Sequence, residues 1–99
     1  VALGKDHRDT ATSYNNVGVI LANMGRYEEA LVEYWKALAI EEVALGKDHP
    51  STAASYNNMG LTLNNMGRYE EALIEYRKAL ARREVAFIPH FLAFYRWHL

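Results

Sequence analysis

The amino-acid sequence predicts an all-α fold built from tandem helical hairpins. Residues 1–42 align with residues 43–84 without a gap, and 31 of the 42 aligned positions are identical. Repetition at such a period is typical of stacked helical arrays. Within each copy, two stretches carry apolar residues at helical spacing, and a glycine separates them. The 99 residues are therefore expected to form two stacked hairpins that share one core.

The first repeat is predicted over residues 10–45, with helices at about 10–24 and 27–45. Gly25 ends the first helix, because glycine readily adopts the positive φ of a helix C-terminus. The apolar residues of the first helix fall within an arc of about 100°, so one face is expected to pack. They are Tyr14, Val17, Gly18 and Leu21. The apolar face of the second helix consists of Tyr27, Ala30, Leu31, Tyr34, Ala37 and Leu38, with Ile40 or Glu41 at its edge.

The second repeat is predicted over residues 52–87, with helices at about 52–66 and 69–87. Residues 1–9 are expected to be the end of a preceding repeat and a connector, so the chain looks cut from a longer protein.

A connector between the two repeats is predicted at residues 46–51. Gly46 serves as a helix stop, Pro50 fits a first helical turn, and Asp48 or Ser51 is the expected N-cap.

The repeated pattern resembles the tetratricopeptide repeat. The matching positions of the first copy are Tyr14, Val17, Gly18, Leu21, Ala30, Tyr34 and Ala37, and those of the second are Tyr56, Met59, Gly60, Leu63, Ala72, Tyr76 and Ala79. The usual closing proline is absent, and the period is 42 residues instead of the common 34. The longer unit is similar to the kinesin light chain subclass. The resemblance implies a right-handed superhelical α-solenoid that acts as a non-catalytic protein-interaction scaffold.

Two glycines inside the first helices indicate close packing. Gly18 and Gly60 each cost roughly 1 kcal/mol relative to alanine in a helix, so their lack of a side chain must be needed. With Ala30 and Ala72 opposite, we expect the helices of each hairpin to approach closely, while tyrosines fill the flanks.

The side of each first helix that faces away from the apolar stripe is rich in uncharged amides. Amides can bind a peptide backbone without selecting by charge, and the resemblance implies that first helices line the concave groove. The candidate groove residues are Thr12, Asn15, Asn16, Val19 and Asn23 in the first copy and Asn57, Asn58, Leu61 and Asn65 in the second. Asn16 and Asn58 are the strongest candidates, since they point directly away from the stripe. Helix capping and inter-repeat hydrogen bonds are alternative roles for these amides.

Composition argues against several function classes. Eleven basic and twelve acidic residues give a net charge of -1, which does not favour nucleic acid. There is no cysteine, and the four histidines lack the spacing of a metal site. We therefore expect no catalytic residues, cofactor, metal or small-molecule substrate.

The glutamate pairs 28–29, 41–42 and 70–71 are interpreted as solvated, with Glu33–Lys36 and Glu75–Lys78 as ion pairs one turn apart.

The composition of the sequence bears on the location of the protein. The absence of cysteine favours the cytoplasm, no targeting signal is recognisable, and membrane association is not expected.

The aromatic tail, residues 88–99, permits three interpretations. It is a capping helix from about Phe91, an exposed apolar patch for self-association or membrane contact, or a disrupted third repeat.

For the function of the whole chain, the leading interpretation is a scaffold with an asparagine-lined groove for an extended peptide or a partner helix. The alternatives are a purely structural spacer within a longer array and a regulatory repeat region of a signalling protein.

Overall fold

The computed structural model describes residues 3–87, with side chains described for residues 8–81. The helices are α1 (Leu3–Asn23), α2 (Tyr27–Ala44), α3 (Pro50–Asn65) and α4 (Tyr69–Phe87), and this part of the chain has no strand. Helix α1 packs against α2, α3 packs against α4, and α2 also packs against α3. The predicted all-α fold of two stacked hairpins is confirmed. All three interpretations of the aromatic tail concern residues outside the described part.

The two hairpin turns have the same geometry. Gly25 and Gly67 both adopt a φ of +80°, a left-handed conformation that suits glycine. After each glycine, the N–H of an arginine donates to a carbonyl five residues earlier, from Arg26 to Leu21 and from Arg68 to Leu63, both at 2.9 Å. These bonds satisfy carbonyl groups at the end of the first helix and fix the direction in which the second helix starts.

The connector between α2 and α3 begins at Gly46, whose φ is +91°. Pro50 is the first residue of α3, as expected from its fixed φ and missing N–H. The predicted N-caps Asp48 and Ser51 are wrong, because His49 occupies this position. The His49 Nδ1 atom accepts a hydrogen bond of 3.1 Å from the backbone N–H of Ser51.

Residues 3–9 belong to helix α1, whereas residues 1–9 were expected to be the end of a preceding repeat and a connector. The same five-residue sequence, Leu-Gly-Lys-Asp-His, lies between α2 and α3 at residues 45–49. The two copies differ at the next position, where Arg8 replaces Pro50. Proline disfavours helical backbone in the residue before it and cannot donate to the preceding turn. Arginine imposes neither restriction, so α1 continues through this segment.

The core is formed by α2, α3 and α4. It consists of Ala30, Leu31, Tyr34, Leu38, Ala53, Tyr56, Met59, Leu63, Ala72 and Ala79. Most of the predicted apolar face is therefore buried, but Val17 is 44% exposed while its counterpart Met59 is only 3% exposed. Met59 belongs to the cluster that α2 and α3 share, and no helix of the described chain covers Val17 in the same way.

The glycines in α1 and α3 make room for tyrosine rings. A Cβ atom at Gly18 would lie 2.6 Å from Cε1 of Tyr34, and one at Gly60 would lie 2.7 Å from Cδ1 of Tyr76. Both distances are shorter than van der Waals contact. The expectation of close approach at these glycines is confirmed, and the group that needs the space is an aromatic ring of the neighbouring helix.

Candidate peptide-binding face and inter-repeat network

The candidate groove residues occupy a surface formed by α1 and α3, here called the α1/α3 face, and these two helices touch each other. Exposed on this face are Thr12, Asn16, Val19, Asn23, Asn57, Leu61 and Asn65, whereas Asn15 and Asn58 are half-buried. The face therefore combines amides with two aliphatic side chains. Such a surface can bind a polar backbone and a small apolar side chain together.

Asn16 and Asn58 occupy equivalent positions in the two repeats. Within residues 8–81, neither side chain forms a hydrogen bond with another protein group. The two donors and the acceptor of each amide are therefore not engaged by these residues, and Asn16 is exposed while Asn58 is half-buried. The Thr12 hydroxyl instead donates to the backbone oxygen of Arg8 at 2.9 Å, which is an ordinary bond within a helix.

Asn15 joins the first repeat to the second. Its Nδ2 atom donates to Ser55 Oγ at 2.8 Å and to Glu41 Oε2 at 3.4 Å. Its Oδ1 atom is buried and has no partner among the described residues. For Asn15, these contacts favour the alternative of an inter-repeat hydrogen bond. Asn57, its counterpart in α3, is exposed.

Glu41 is the acceptor at the centre of this network. Its side chain is at the contact between α2 and α3, and the residue is only 4% exposed. Oε1 accepts a hydrogen bond of 2.5 Å from the Ser55 hydroxyl. The interpretation of Glu41 as a solvated carboxylate is wrong, because the stacking of α3 on α2 covers it. Its position at the edge of the predicted apolar face was compatible with burial but did not decide it.

Burial raises the pKa of Glu41 above its ordinary value of 4.5. The hydrogen bond from Ser55, the nearby His49 and the hydrogen bond from Asn15 act in the opposite direction, because each favours the charged carboxylate. The adjacent Glu42 accepts a hydrogen bond from the Tyr56 hydroxyl. Polar contacts of α2 with α3 therefore accompany the apolar contacts between the repeats.

The second helix of each repeat carries a lysine–glutamate ion pair. Lys36 Nζ lies 3.0 Å from Glu33, and Lys78 Nζ lies 3.1 Å from Glu75, which confirms both predicted pairs. Each lysine also lies 5.4 Å from the centre of a tyrosine ring, Tyr14 and Tyr56 respectively. These lysines therefore link the second helix to the first helix of their own hairpin.

Comparison with known families decides the identity of this repeated hairpin. A model of the tetratricopeptide repeat family matches residues 9–84, which is more than half of the chain. The chain belongs to the tetratricopeptide repeat family. A search of curated proteins finds no significant match.

Membership of the tetratricopeptide repeat family sets the general class of function. Tetratricopeptide repeats generally mediate protein–protein interaction and typically bind protein or peptide partners as non-catalytic scaffolds. No helix within residues 3–87 has the length and apolar character needed to cross a membrane. The role of the nine candidate groove residues stays a prediction.

Proposed function

We propose that this tetratricopeptide repeat chain is a peptide-binding module that uses its α1/α3 face. The observation that carries the proposal is the repetition of a hydrogen-bonding amide at Asn16 and Asn58, neither of which has a side-chain hydrogen-bond partner within residues 8–81. Neighbouring packed helices lie about 10 Å apart, which corresponds to about three residues of an extended chain. The two amides are thus suited to bind backbone groups of one extended peptide at regular spacing.

Recognition through backbone groups explains the lack of charge on this face. Asparagine supplies donors and an acceptor, so it can bind both the N–H and the C=O of a peptide. Val19 and Leu61 are exposed beside the amides and are available to contact a side chain of the same ligand. We therefore favour a ligand with small apolar side chains and propose no acidic motif, since the candidate groove residues include no lysine or arginine.

The 42-residue period supports a finer assignment. It is eight residues longer than the common tetratricopeptide unit, and the additional length lies in a long second helix followed by a connector. We propose that the chain belongs to the subclass found in kinesin light chains and similar many-repeat scaffolds, and that it acts in the cytoplasm.

A structural spacer is the second candidate function, and the network of Asn15, Glu41 and Ser55 is the observation that favours it. This network joins α1, α2 and α3 through one buried and two partly buried hydrogen bonds. Buried hydrogen bonds can fix the relative arrangement of helices. A spacer needs such a fixed arrangement and needs no groove ligand.

The decisive experiment selects peptides from a random library on the wild-type protein. The Kd of the selected peptides is then measured for the wild type and for the Asn16→Ala/Asn58→Ala double variant. Each lost amide contact is worth about 0.5–1.5 kcal/mol, so we expect the Kd to rise about tenfold. Asn64→Ala removes an exposed amide of α3 outside the candidate set and serves as the control. Equal affinities for wild type and double variant refute the proposal, and the absence of any selected peptide favours the spacer.

A further inference from the structure

A surface depression lies between α2 and α4, which are the second helices of the two repeats. It has a volume of about 300 Å³, and α3 contributes residues to its lining beneath α2 and α4. We call it the α2/α4 groove. Its apolar lining consists of Leu31, Val32, Trp35, Met59, Leu63 and Ile74. This volume is at the small end of the range for binding pockets, about 300–1,000 Å³, and suits one large side chain of a partner.

Trp35 is the most unusual residue of the α2/α4 groove. It is 62% exposed, and the equivalent position in the second repeat is occupied by Arg77. The fold therefore does not require an aromatic side chain at this position. Tryptophan is enriched among the residues that dominate binding energy at protein interfaces. Val32 and Ile74, which line the same groove, are also about half exposed.

The rim of the α2/α4 groove has an excess of one negative charge. Arg68 forms two short hydrogen bonds with Glu71, at 2.6 and 2.7 Å, and Lys78 pairs with Glu75 at 3.1 Å. Among residues 8–81, the one ionic contact of Glu28 is at 3.3 Å, with the Arg68 that Glu71 already engages. The Glu28 side chain is 76% exposed, so it is accessible to a further cation.

We propose that the α2/α4 groove binds a protein segment in which a leucine-like side chain and an arginine or lysine lie two residues apart. Glu28 and Trp35 are seven residues apart and lie on the same face of α2, separated by about 10 Å. In an extended segment, side chains two residues apart point to the same side and are about 6.6 Å apart. The long arginine side chain covers the remaining distance, so the apolar group packs on Trp35 while the cation reaches Glu28.

The test is an NMR titration of the 99-residue chain with the peptide acetyl-Gly-Leu-Ser-Arg-Gly-amide. The indole N–H of Trp35 and the backbone N–H of Ile74 report on the α2/α4 groove, and the side-chain amides of Asn16 and Asn58 report on the α1/α3 face. We expect shifts at Trp35 and Ile74. Replacement of the peptide arginine by glutamate should weaken binding at least fivefold, because the rim then repels the ligand.

Two substitutions separate the apolar and the ionic contributions. Trp35→Arg introduces the residue that the second repeat has at this position, and it should raise the Kd at least tenfold. Glu28→Gln should raise it about threefold. Val43→Arg places the same positive charge at an 83% exposed site of α2 outside the groove, and it should leave the Kd unchanged.

Three outcomes overturn the proposal. They are the absence of a shift at Trp35 up to the solubility limit of the peptide, equal binding of the arginine and glutamate peptides, and equal loss of affinity in Trp35→Arg and Val43→Arg. In the first of these outcomes, shifts at Asn16 and Asn58 would support the α1/α3 face as the peptide site. The α2/α4 groove and the proposed function can therefore fail independently.

Discussion

At the scale of single residues, the packing of each hairpin depends on a glycine that faces a tyrosine ring. The two sites differ in how firmly the ring is held. Tyr34 is buried between the two repeats, whereas Tyr76, its counterpart in α4, is half-buried. A ring enclosed on all sides cannot move away from a new methyl group without disturbing its neighbours.

Gly18→Ala is therefore expected to destabilise the protein more than Gly60→Ala. Alanine would favour an isolated helix by about 1 kcal/mol, but overpacking typically costs about 1–3 kcal/mol. After the helix gain is subtracted, we expect Gly18→Ala to lower the free energy of unfolding by about 1–2 kcal/mol and Gly60→Ala by clearly less. Urea denaturation of both variants measures the difference.

The control for this prediction removes the ring itself. In a Tyr34→Leu background, Gly18→Ala should lose most of its destabilising effect, since the contact at 2.6 Å disappears. If both alanine variants have the same stability, or if the Tyr34→Leu background changes nothing, the assigned role of the glycine is wrong.

At the scale of helices, one residue determines whether the segment Leu-Gly-Lys-Asp-His is helix or connector. In Leu3–Asn23 it is the beginning of α1, and at residues 45–49 it separates α2 from α3. Arg8 follows the first copy and Pro50 follows the second. The helix–connector difference therefore follows from backbone chemistry at the next residue.

Arg8→Pro should shorten α1 so that it begins near residue 8. The proline ring excludes helical backbone at the residue before it, so residues 3–7 should lose helix. Helical Cα chemical shifts of these residues, together with the ellipticity at 222 nm, measure the change. Arg8→Ala is the control and should keep the helix. Helical shifts that persist at residues 3–7 in Arg8→Pro would contradict this explanation.

The sequence was sufficient to predict helices and hairpin turns, because apolar spacing and glycine act locally. It did not predict the burial of Glu41, since that depends on α3 covering α2 across 14 residues of chain. Nor did it predict the exposure of Val17, because the pattern shows which face is apolar but not whether another helix covers it. The amides of the α1/α3 face were identified only by their angular position around the helix relative to the apolar stripe. Their function depends on a ligand that the sequence does not specify.

At the scale of the whole molecule, the two repeats are joined by a surface that is partly apolar and partly polar. Leu31 of α2, the helix on which α3 packs, is 6% exposed. Its counterpart Leu73 in α4 is 48% exposed. Stacking of one repeat on the next therefore accounts for the burial of the same apolar position. The polar part is Glu41 with Ser55 and Asn15, and Arg83 replaces Glu41 at the equivalent position of the second repeat. The polar network of the described residues is thus specific to this junction.

Glu41 should make the stability of the stacked repeats dependent on pH. Because its pKa is raised in the folded state, the folded protein binds a proton at Glu41 more tightly than the unfolded chain does. Its contribution to stability is fully present below the ordinary value of 4.5 and is lost as the pH rises through the raised pKa. Glu41→Gln removes this titration while keeping an oxygen that accepts from Ser55.

We therefore expect Glu41→Gln to be more stable than wild type at neutral pH, and the difference to shrink as the pH falls towards about 4. Glu41→Ala should instead lose about 1–3 kcal/mol, because Ser55 and Asn15 lose their common acceptor inside the junction. Urea denaturation at several pH values measures both effects, and Glu70→Gln, at an exposed position of α4, is the control for a simple change of charge. If Glu41→Gln and wild type differ by a constant amount at every pH, Glu41 does not titrate on unfolding and the proposed coupling of protonation to repeat stacking is wrong.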